Sequence, residues 1–337
     1  MVYIAHEMSQ WSDADVVVGD LVYTSGYGGI YPKDVAVGTV VSVEPNPENY
    51  TSPFLSLFCK DCIGRGLDIN MGGAVYPSVH GAALMGVGTL CDSLAAVEQV
   101  VFTDKAATMV ELASALKANF EGYEDLREKL LAAPKYGNNN DFADKYAVWF
   151  VDFLSDEFMK HKTPDGGGYY TAMAANVSNI YAGHTIGATP DGRAAREMMG
   201  YGIDPLHSNA DSGLGFRTLS AMQLPFGKMN GGCASHFGID PKYFTAETME
   251  EKGVQFYQRV LQPLFFNPGN PARAPFYLYV NVTTADTLRK VLANPKKYAP
   301  NGVYIMRIHG TFVNFLDLSP EIQQDIIKRL DLASTTI

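Results

Sequence analysis

A glycine near the C-terminus has the most distinctive chemical setting in this sequence. Gly310 follows the arginine-bearing apolar run VYIMRIH and precedes the apolar run TFVNF, a pattern that predicts a tight turn between two strands. A structural glycine is needed at such a tip only because it adopts positive φ angles without steric cost. The same setting also suits a radical at the glycine α-carbon. That radical is planar, a Cβ would hinder it, and two buried strands would shield it from water and oxygen.

Four cysteines are the next candidates for chemistry: Cys59, Cys62, Cys91 and Cys233. In a chain of 337 residues they do not suggest a disulfide framework, and we expect reduced thiols. Cys59 and Cys62 have the C-x-x-C spacing of redox and zinc sites. No second pair stands at zinc spacing, and the residues that follow lack the pattern of a redox helix. The sequence therefore favours buried structural thiols over a metal or redox pair.

Histidines and glycine-rich segments give weaker signals. The seven histidines include no H-x-x-x-H pair, so we predict no metal site. His80, His184 and His236 lie in glycine-rich segments, where they either line a substrate cavity or, as we favour, are hydrogen-bonded loop residues. The glycine-rich stretches lack the Lys-Ser/Thr of a phosphate loop and the G-x-G-x-x-G context of a dinucleotide fold. Asp191 and Arg193 in TPDGRAARE are expected to pair locally in a turn.

Composition and charge exclude several classes of function. The chain has a formal net charge of −10 and a pI near 5.2, which argues against a nucleic-acid partner. No stretch approaches the ~18 consecutive apolar residues of a membrane span. The N-terminal residues carry acids early and lack a basic segment, so they do not resemble a secretory signal. We therefore expect a cytoplasmic protein with no membrane span.

Two regions of different pattern must position these residues. Residues 1–50 alternate short β-branched runs with glycine-rich turns, which is typical of a small antiparallel β-barrel or sandwich. The prolines of PNPENYTSP mark a boundary, and from residue 53 helices and strands alternate as in an α/β fold. Helices are predicted at 88–102, 104–120 with Asp104 as N-cap, 140–161, 247–262, after Ala285 and at 319–330, and strands at 276–284 and 302–309.

From about residue 53 the sequence resembles the C-terminal part of a glycyl radical enzyme, of the pyruvate formate-lyase and diol-dehydratase superfamily. Four segments resemble family segments and follow the family's order: PFLSLFCKDCIGRGLDINMGGAVY, CDSLAAVEQVVF, HTIGATPDGRAARE and MRIHGTFVNFLDLSPEIQQDIIKRL. The resemblance implies that residues 53–337 form the C-terminal part of a ten-stranded α/β barrel. It places a glycyl radical loop at residues 304–315.

The resemblance also implies the roles of individual residues. Gly310 would store a radical that a radical-AdoMet activating enzyme installs, with no bound cofactor, and Arg307, His309, Thr311 and Phe312 would support the loop. The family usually has a small residue before the glycine and tyrosine after it, so His309 and Thr311 depart from the pattern. We interpret His309 as a subgroup feature that shapes the pocket rather than as drift, because the surrounding pattern is intact.

The second radical residue of the family is not visible in this sequence. In family members the glycine passes its radical to a cysteine in a Gly-Cys-Val-Glu loop, and that thiyl group attacks the small-molecule substrate. None of the four cysteines has this setting, and the counterpart of that loop would fall near or before residue 1. The resemblance thus implies a component of lyase, dehydratase, decarboxylase or formate acetyltransferase-like chemistry. It would lack the thiyl half and need a partner chain or a homodimer.

Residues 1–50 resemble a different family. The spacing VGDLVYTSG…GGIYPKD…VGTVVSVEP resembles the β module of MreC, a membrane-anchored rod-shape-determining scaffold. Such a junction indicates a fused or truncated reading frame. It also leaves two alternatives to an enzyme component open. One is a non-catalytic cell-shape scaffold or interaction protein, and the other is a spare-part subunit that restores a damaged glycyl radical enzyme.

Overall fold

A computed structural model describes the backbone of ten segments, and they fall into two compact units. One unit lies within residues 1–80 and 161–169, and the other lies within residues 81–160 and 170–337. The described segments are 21–23, 36–39, 52–76, 79–162, 166–173, 178–206, 209, 212–266, 277–308 and 311–330.

The N-terminal unit contains short elements. Strands β1 (Leu21–Tyr23) and β2 (Ala36–Thr39) pair antiparallel, as predicted for this region. Of the short β-branched runs predicted within residues 1–50, the run Val16–Val18 and the residues after Thr39 lie outside the described segments. Two one-turn helices follow, α1 (Pro53–Ser56) and α2 (Cys62–Arg65).

Helices dominate the chain between residues 79 and 185. A π-helical turn, Val97–Thr103, extends the first long helix of this region. The elements are β3 (Val79–Ala83), α3 (Val87–Ala96), α4 (Met109–Lys117), α5 (Glu124–Ala132), α6 (Asp141–Phe158), β4 (Gly168–Ala172) and α7 (Ser178–Thr185).

Helices and strands alternate from residue 214 onward, which confirms the predicted α/β class. The elements are α8 (Leu214–Met222), β5 (Ala234–Ile239), α9 (Met249–Phe256), α10 (Gln262–Phe265), β6 (Tyr277–Val282), α11 (Ala285–Ala293), α12 (Pro295–Tyr298), β7 (Ile305–Ile308), β8 (Thr311–Asn314) and α13 (Pro320–Leu330).

The predicted N-cap of α4 is wrong. Asp104 ends the π-helical turn, where its N–H donates to Gln99 O at 2.8 Å. Thr108 caps the helix instead, in a capping box with Glu111. The Thr108 hydroxyl accepts the Glu111 N–H and the Glu111 carboxylate accepts the Thr108 N–H, so two otherwise unpaired donors are satisfied together.

Strand neighbours in the described segments follow the order of the chain. β3 pairs with β4, β5 pairs with β6 in parallel, and β7 pairs with β8 antiparallel. Met173, just after β4, joins Cys233 in a parallel bridge at the start of β5. These pairings form separate two-stranded sheets. A ten-stranded barrel is not a feature of the described part of the chain.

β5 lies in a glycine-rich stretch that the sequence does not mark as a strand. Gly238 in this strand packs closely against α13, since a Cβ there would lie 1.7 Å from Leu330 Cδ2 and the leucine side chain would have to move. The parallel partner β6 pairs with all six residues of β5, from Ala234 to Ile239. The strand therefore depends on tertiary neighbours rather than on local propensity.

Candidate functional site

The hairpin β7–β8 brackets the candidate glycine. Arg307 pairs with Phe312, and Ile308 pairs with Thr311, whose hydroxyl donates to Ile308 O at 2.9 Å. The two residues that link the strands are His309 and Gly310, and both lie outside the described segments. The structure therefore confirms a strand on each side of Gly310.

The two faces of the hairpin differ in burial. Met306 and Ile308 are buried in a cluster with residues of α11 and α13. On the other face Ile305 is 54% exposed and Phe312 is 70% exposed. The expectation of two buried arms is therefore wrong for the described residues, among which only one face of the hairpin is covered.

Asparagine side chains hold the hairpin in place. Asn281 of β6 accepts the Arg307 N–H at 2.9 Å and donates to Arg307 O at 2.9 Å. At the base of the hairpin Asn314 accepts the Tyr304 N–H at 2.9 Å and donates to Gly302 O at 3.1 Å. The sequence analysis missed both asparagines, since neither belongs to a recognisable motif.

Arg307 lies in a row of contacting side chains that crosses the four strands β5 to β8. Its guanidinium lies 4.7 Å from the Phe312 ring centroid and 5.7 Å from that of Tyr279. Tyr279 contacts His236 of β5, and His236 contacts Tyr201, each with ring centroids 4.8 Å apart. The predicted support residues Arg307 and Phe312 are thus brought together by cation–π contact.

A buried ion pair anchors the strand beside this row. Asp204 accepts from Arg217 Nη2 at 2.6 Å, from Ser235 Oγ at 2.6 Å and from the His236 N–H at 3.0 Å. The Arg217 and Asp204 side chains are 6% and 3% exposed. A buried charge pair is tolerated when hydrogen bonds satisfy its remaining groups, as they do for this carboxylate.

A small cavity adjoins β7. Its volume is about 50 Å³, and Ile308, His236, Arg329 and Asn281 contribute to its walls. A water molecule needs ~10–15 Å³ and a small-molecule ligand site ~300–1,000 Å³, so this cavity has room for water but is too small for a substrate. His236 lines this cavity from strand β5, but the cavity is too small to be the substrate cavity of the sequence alternative. None of the four cysteines is among the residues that line it.

A wider groove lies elsewhere in the same unit. It has a volume of about 570 Å³ and is lined by residues that include His184, Arg196 and Lys328. No residue of β7 or β8 lines it, so the groove is not part of the hairpin site. The His80 side chain lies outside the described part of the structure.

The turn TPDGR is held differently from the predicted local pair. The Asp191 carboxylate accepts from Thr189 Oγ1 at 2.5 Å and from the Arg193 N–H at 3.4 Å. The Arg193 guanidinium donates to Thr189 Oγ1 at 3.1 Å and to backbone carbonyls, including Ala194 O at 3.1 Å. The two side chains are therefore linked through Thr189 rather than by a direct ion pair.

All four cysteines are free thiols. Cys62, Cys91 and Cys233 are buried, whereas Cys59 is partly exposed. Burial raises the pKa of the Cys62 and Cys91 thiols, and the neighbouring Cys59 raises that of Cys62 further. Buried protonated thiols react slowly, which agrees with the predicted structural role.

Cysteine exposure gives a direct chemical prediction. In the folded chain iodoacetamide is expected to alkylate Cys59 on the order of tenfold faster than Cys62, Cys91 or Cys233. Peptide mass spectrometry over a time course measures the four rates. Guanidinium-unfolded protein is the control and should show four similar rates. Equal rates in the folded chain would contradict the described burial.

Asp92 of α3 is a fully buried carboxylate that the sequence analysis missed. Its oxygens accept the Tyr136 N–H at 2.7 Å and Asn209 Nδ2 at 2.6 Å. Burial raises the pKa of Asp92 from 3.8 to about 7, although the Lys135 charge and the Tyr136 hydrogen bond oppose that rise. The group ties α3 to two distant segments.

The raised pKa of Asp92 makes stability depend on pH. The unfolded chain loses this proton near pH 4 and the folded chain near pH 7, so the free energy of unfolding falls as pH rises between these values. In Asp92→Asn the free energy of unfolding is expected to decrease by up to about 4 kcal/mol less than in wild type over this pH range. Urea unfolding at pH 4, 5.5 and 7 measures it. The exposed control Asp125→Asn should keep the wild-type slope, and an equal slope in Asp92→Asn would contradict the prediction.

Within the described segments no group of three or more His, Cys, Asp or Glu side chains is placed to hold a metal ion. The helices of those segments likewise include none that is long and apolar enough to span a membrane.

Comparison with known proteins decides the relationship of the chain. Residues 36–183 match the family model "Pyruvate formate lyase-like". Isethionate sulfite-lyase of Bilophila wadsworthia is 33% identical over 247 residues, which are 73% of this chain and 28% of that enzyme. These matches confirm the resemblance of the chain to the C-terminal portion of glycyl radical enzymes. Its relatives are named as lyases and dehydratases, which confirms the enzyme family that the sequence predicts.

Solved glycyl radical enzymes share the fold. The B12-independent glycerol dehydratase from Clostridium butyricum superposes with a TM-score of 0.74 at 28% identity over 85% of this chain and 34% of that one. A glycyl radical enzyme from Archaeoglobus fulgidus gives 0.73 at 26% identity, over 85% and 35%. The chain spans about a third of the length of the relatives it matches.

A second family matches the N-terminal residues. Residues 3–57 match the model "Rod shape-determining protein MreC, barrel core", and the two family matches overlap between residues 36 and 57. This confirms the resemblance of residues 1–50 to the MreC β module.

Proposed function

We propose that this chain is the radical-storing component of a glycyl radical enzyme and that Gly310 carries the radical. The observation that carries the proposal is the hairpin β7–β8, which brings a strand to each side of Gly310. A radical-AdoMet activating enzyme removes one hydrogen atom from the Gly310 α-carbon. The chain itself supplies no bound cofactor or metal.

The residues around Gly310 have distinct parts in this proposal. Arg307 is fixed by its stacking on Tyr279 and Phe312, and Thr311 closes the hairpin through its hydroxyl. His309 directly precedes the glycine and shapes its surroundings. These contacts support the loop and limit its movement, which protects a radical from quenching.

The cysteine that receives the radical lies outside these 337 residues in this proposal. Cys62, Cys91 and Cys233 are buried, and Cys91 and Cys233 belong to a packed apolar core. None of them lines the cavity beside β7. The thiyl residue is therefore supplied by further polypeptide, from a partner chain or in a homodimer.

The exposed face of the hairpin indicates where that polypeptide docks. We call Tyr277, Tyr279, Ile305, Arg307 and Phe312 the open face. Tyr277, Ile305 and Phe312 are each at least half exposed, and Tyr277 stacks on Tyr279 with ring centroids 6.5 Å apart. Large apolar side chains exposed together mark an interaction surface. A covering chain would complete the C-terminal part of a ten-stranded barrel and enclose Gly310.

The reaction class follows from the family. Relatives act as a sulfite-lyase and as dehydratases, so the proposed reaction is a lyase or dehydratase reaction on a small-molecule substrate in the cytoplasm. Decarboxylase or acyltransferase chemistry uses the same radical. The covering polypeptide, rather than this chain alone, determines the substrate.

Spectroscopy under anaerobic conditions tests the proposal. The chain is incubated with a radical-AdoMet activating enzyme, AdoMet and a reductant, with and without a polypeptide that carries the Gly-Cys-Val-Glu loop. A doublet in the electron paramagnetic resonance spectrum is expected, and turnover only when that polypeptide is present. No doublet with any activating enzyme of the family would refute the proposal.

A second candidate is favoured by the MreC match over residues 3–57. In this alternative the N-terminal module is a cell-shape scaffold and the remainder is non-catalytic. Capture of cell-wall elongation proteins by the full chain, but not by a variant lacking residues 1–50, would support it. Retention of the radical doublet by that shortened variant would favour the enzyme component instead.

A further inference from the structure

β6 and β7 are neighbours that do not pair through their backbones. β6 pairs with β5 and β7 pairs with β8, and within the described segments no backbone–backbone hydrogen bond joins β6 to β7. The hairpin is therefore not a continuation of the β5–β6 sheet. Another group must set its position against that sheet.

The Asn281 side chain is the group of β6 that bonds to the backbone of β7. Its amide oxygen accepts the Arg307 N–H and its amide nitrogen donates to Arg307 O, both at 2.9 Å. A primary amide has an acceptor oxygen and two N–H donors, so it reproduces the pair of bonds that a peptide group makes in a sheet. One side chain thus replaces a backbone ladder.

β6 holds the side chain of Arg307 as well as its backbone. Tyr279 lies two residues before Asn281 on the same strand face, and the Arg307 guanidinium lies 5.7 Å from its ring centroid. Arg307 precedes Gly310 by three residues. A shift of the Arg307 backbone would therefore be transmitted to the glycine over a short connection.

We propose that Asn281 is a positioning residue that fixes the position of the hairpin β7–β8 relative to strand β6. Its functional consequence, a change in the yield of the Gly310 radical, rests on the proposed function. Its structural part, the bond between the Asn281 amide and the Arg307 backbone, is testable without any radical.

Hydrogen exchange tests the structural part in the full chain. In Asn281→Leu the Arg307 amide is expected to exchange about tenfold faster than in wild type, after correction for intrinsic rates, because its acceptor is removed. In Asn281→Asp at pH 8 a smaller acceleration is expected, because the carboxylate still accepts the Arg307 N–H but repels Arg307 O. Asn281→Asp is nearly isosteric and keeps the experiment interpretable if Asn281→Leu does not fold. Asn301→Asp, at an exposed asparagine, is the matched control and should leave the rate unchanged.

The pH profile separates positioning from a general loss of stability. In the Asn281→Asp variant the ionised carboxylate accepts the Arg307 N–H but repels Arg307 O, whereas the protonated carboxyl group donates to that oxygen. Protection of the Arg307 amide in this variant should therefore recover as pH falls through the pKa of the introduced carboxyl group. Wild type and Asn301→Asp should show no such recovery.

The intensity of the radical doublet measures the functional consequence of the Asn281 substitutions. With an activating enzyme, Asn281→Leu is expected to lose at least half of the wild-type doublet intensity, and Asn281→Asp to regain intensity at lower pH. If the Arg307 amide exchanges faster in the variants but wild type gives no doublet, the proposed function is refuted, whereas the hydrogen bonds between Asn281 and Arg307 are not. Unchanged exchange in both variants, or faster exchange with an undiminished doublet, would overturn the positioning role of Asn281.

Discussion

Replacement of Gly310 by alanine is expected to abolish the radical doublet completely. In wild type, loss of one α-hydrogen leaves an unpaired electron coupled to the single remaining α-hydrogen, and that coupling splits the signal into two lines. A Cβ at this position hinders the planar radical between its two peptide groups. Growth on α-deuterated glycine should collapse the wild-type doublet towards a single line, which assigns the signal to a glycine.

The matched control for this experiment is Gly253→Ala. Gly253 lies in α9, and a Cβ added there meets no atom within 4 Å. Alanine at a helical glycine is neutral or stabilising, so this variant should give the wild-type doublet. A doublet in Gly310→Ala equal to that in Gly253→Ala would show that the radical is elsewhere or absent from the proposed site.

Asp204→Ala is expected to cost about 3–5 kcal/mol of unfolding free energy, the largest stability effect that we predict. The substitution leaves the buried Arg217 charge without its carboxylate and removes the acceptor of Ser235 Oγ and of the His236 N–H. A drop of this size is a large fraction of the stability of a typical domain. Urea unfolding followed by circular dichroism measures it.

An exposed ion pair provides the comparison. Lys290 and Asp286 form an i,i+4 pair whose side chains are 52% and 69% exposed. Lys290→Ala is expected to cost less than ~1 kcal/mol, because water and salt screen exposed charges. If Asp204→Ala cost no more than Lys290→Ala, the Asp204 network would not be the anchor of β5 that its geometry indicates.

The open face links stability to function. One face of the hairpin is buried. On the other face Phe312 is 70% exposed, and the Arg307 guanidinium lies between the rings of Tyr279 and Phe312. The chain spans about a third of the length of each relative, and in the proposed function further polypeptide covers this face. Assembly with further polypeptide and storage of the radical are therefore coupled in the proposed function.

Local pattern determined a large part of this protein. The alternation of apolar runs and turns around Gly310 predicted the hairpin, and apolar periodicity predicted six of the eleven described α-helices from residue 87 onward, although the N-cap predicted for α4 was wrong. Ordered family segments identified the glycyl radical relationship and the MreC-like N-terminal residues. These features are encoded by neighbours in sequence, because helices, turns and motifs depend on residues within a few positions of each other.

Tertiary structure alone decided how the site is held. Asn281 meets Arg307 across 26 residues, and Asp204 meets Ser235 across 31, and neither contact has a local signature. The same is true of β5, a glycine-containing strand that exists because β6 and α13 pack against it. Polar side chains that satisfy backbone groups at long range are selected by the assembled geometry, so only the folded chain shows which asparagine positions the glycine.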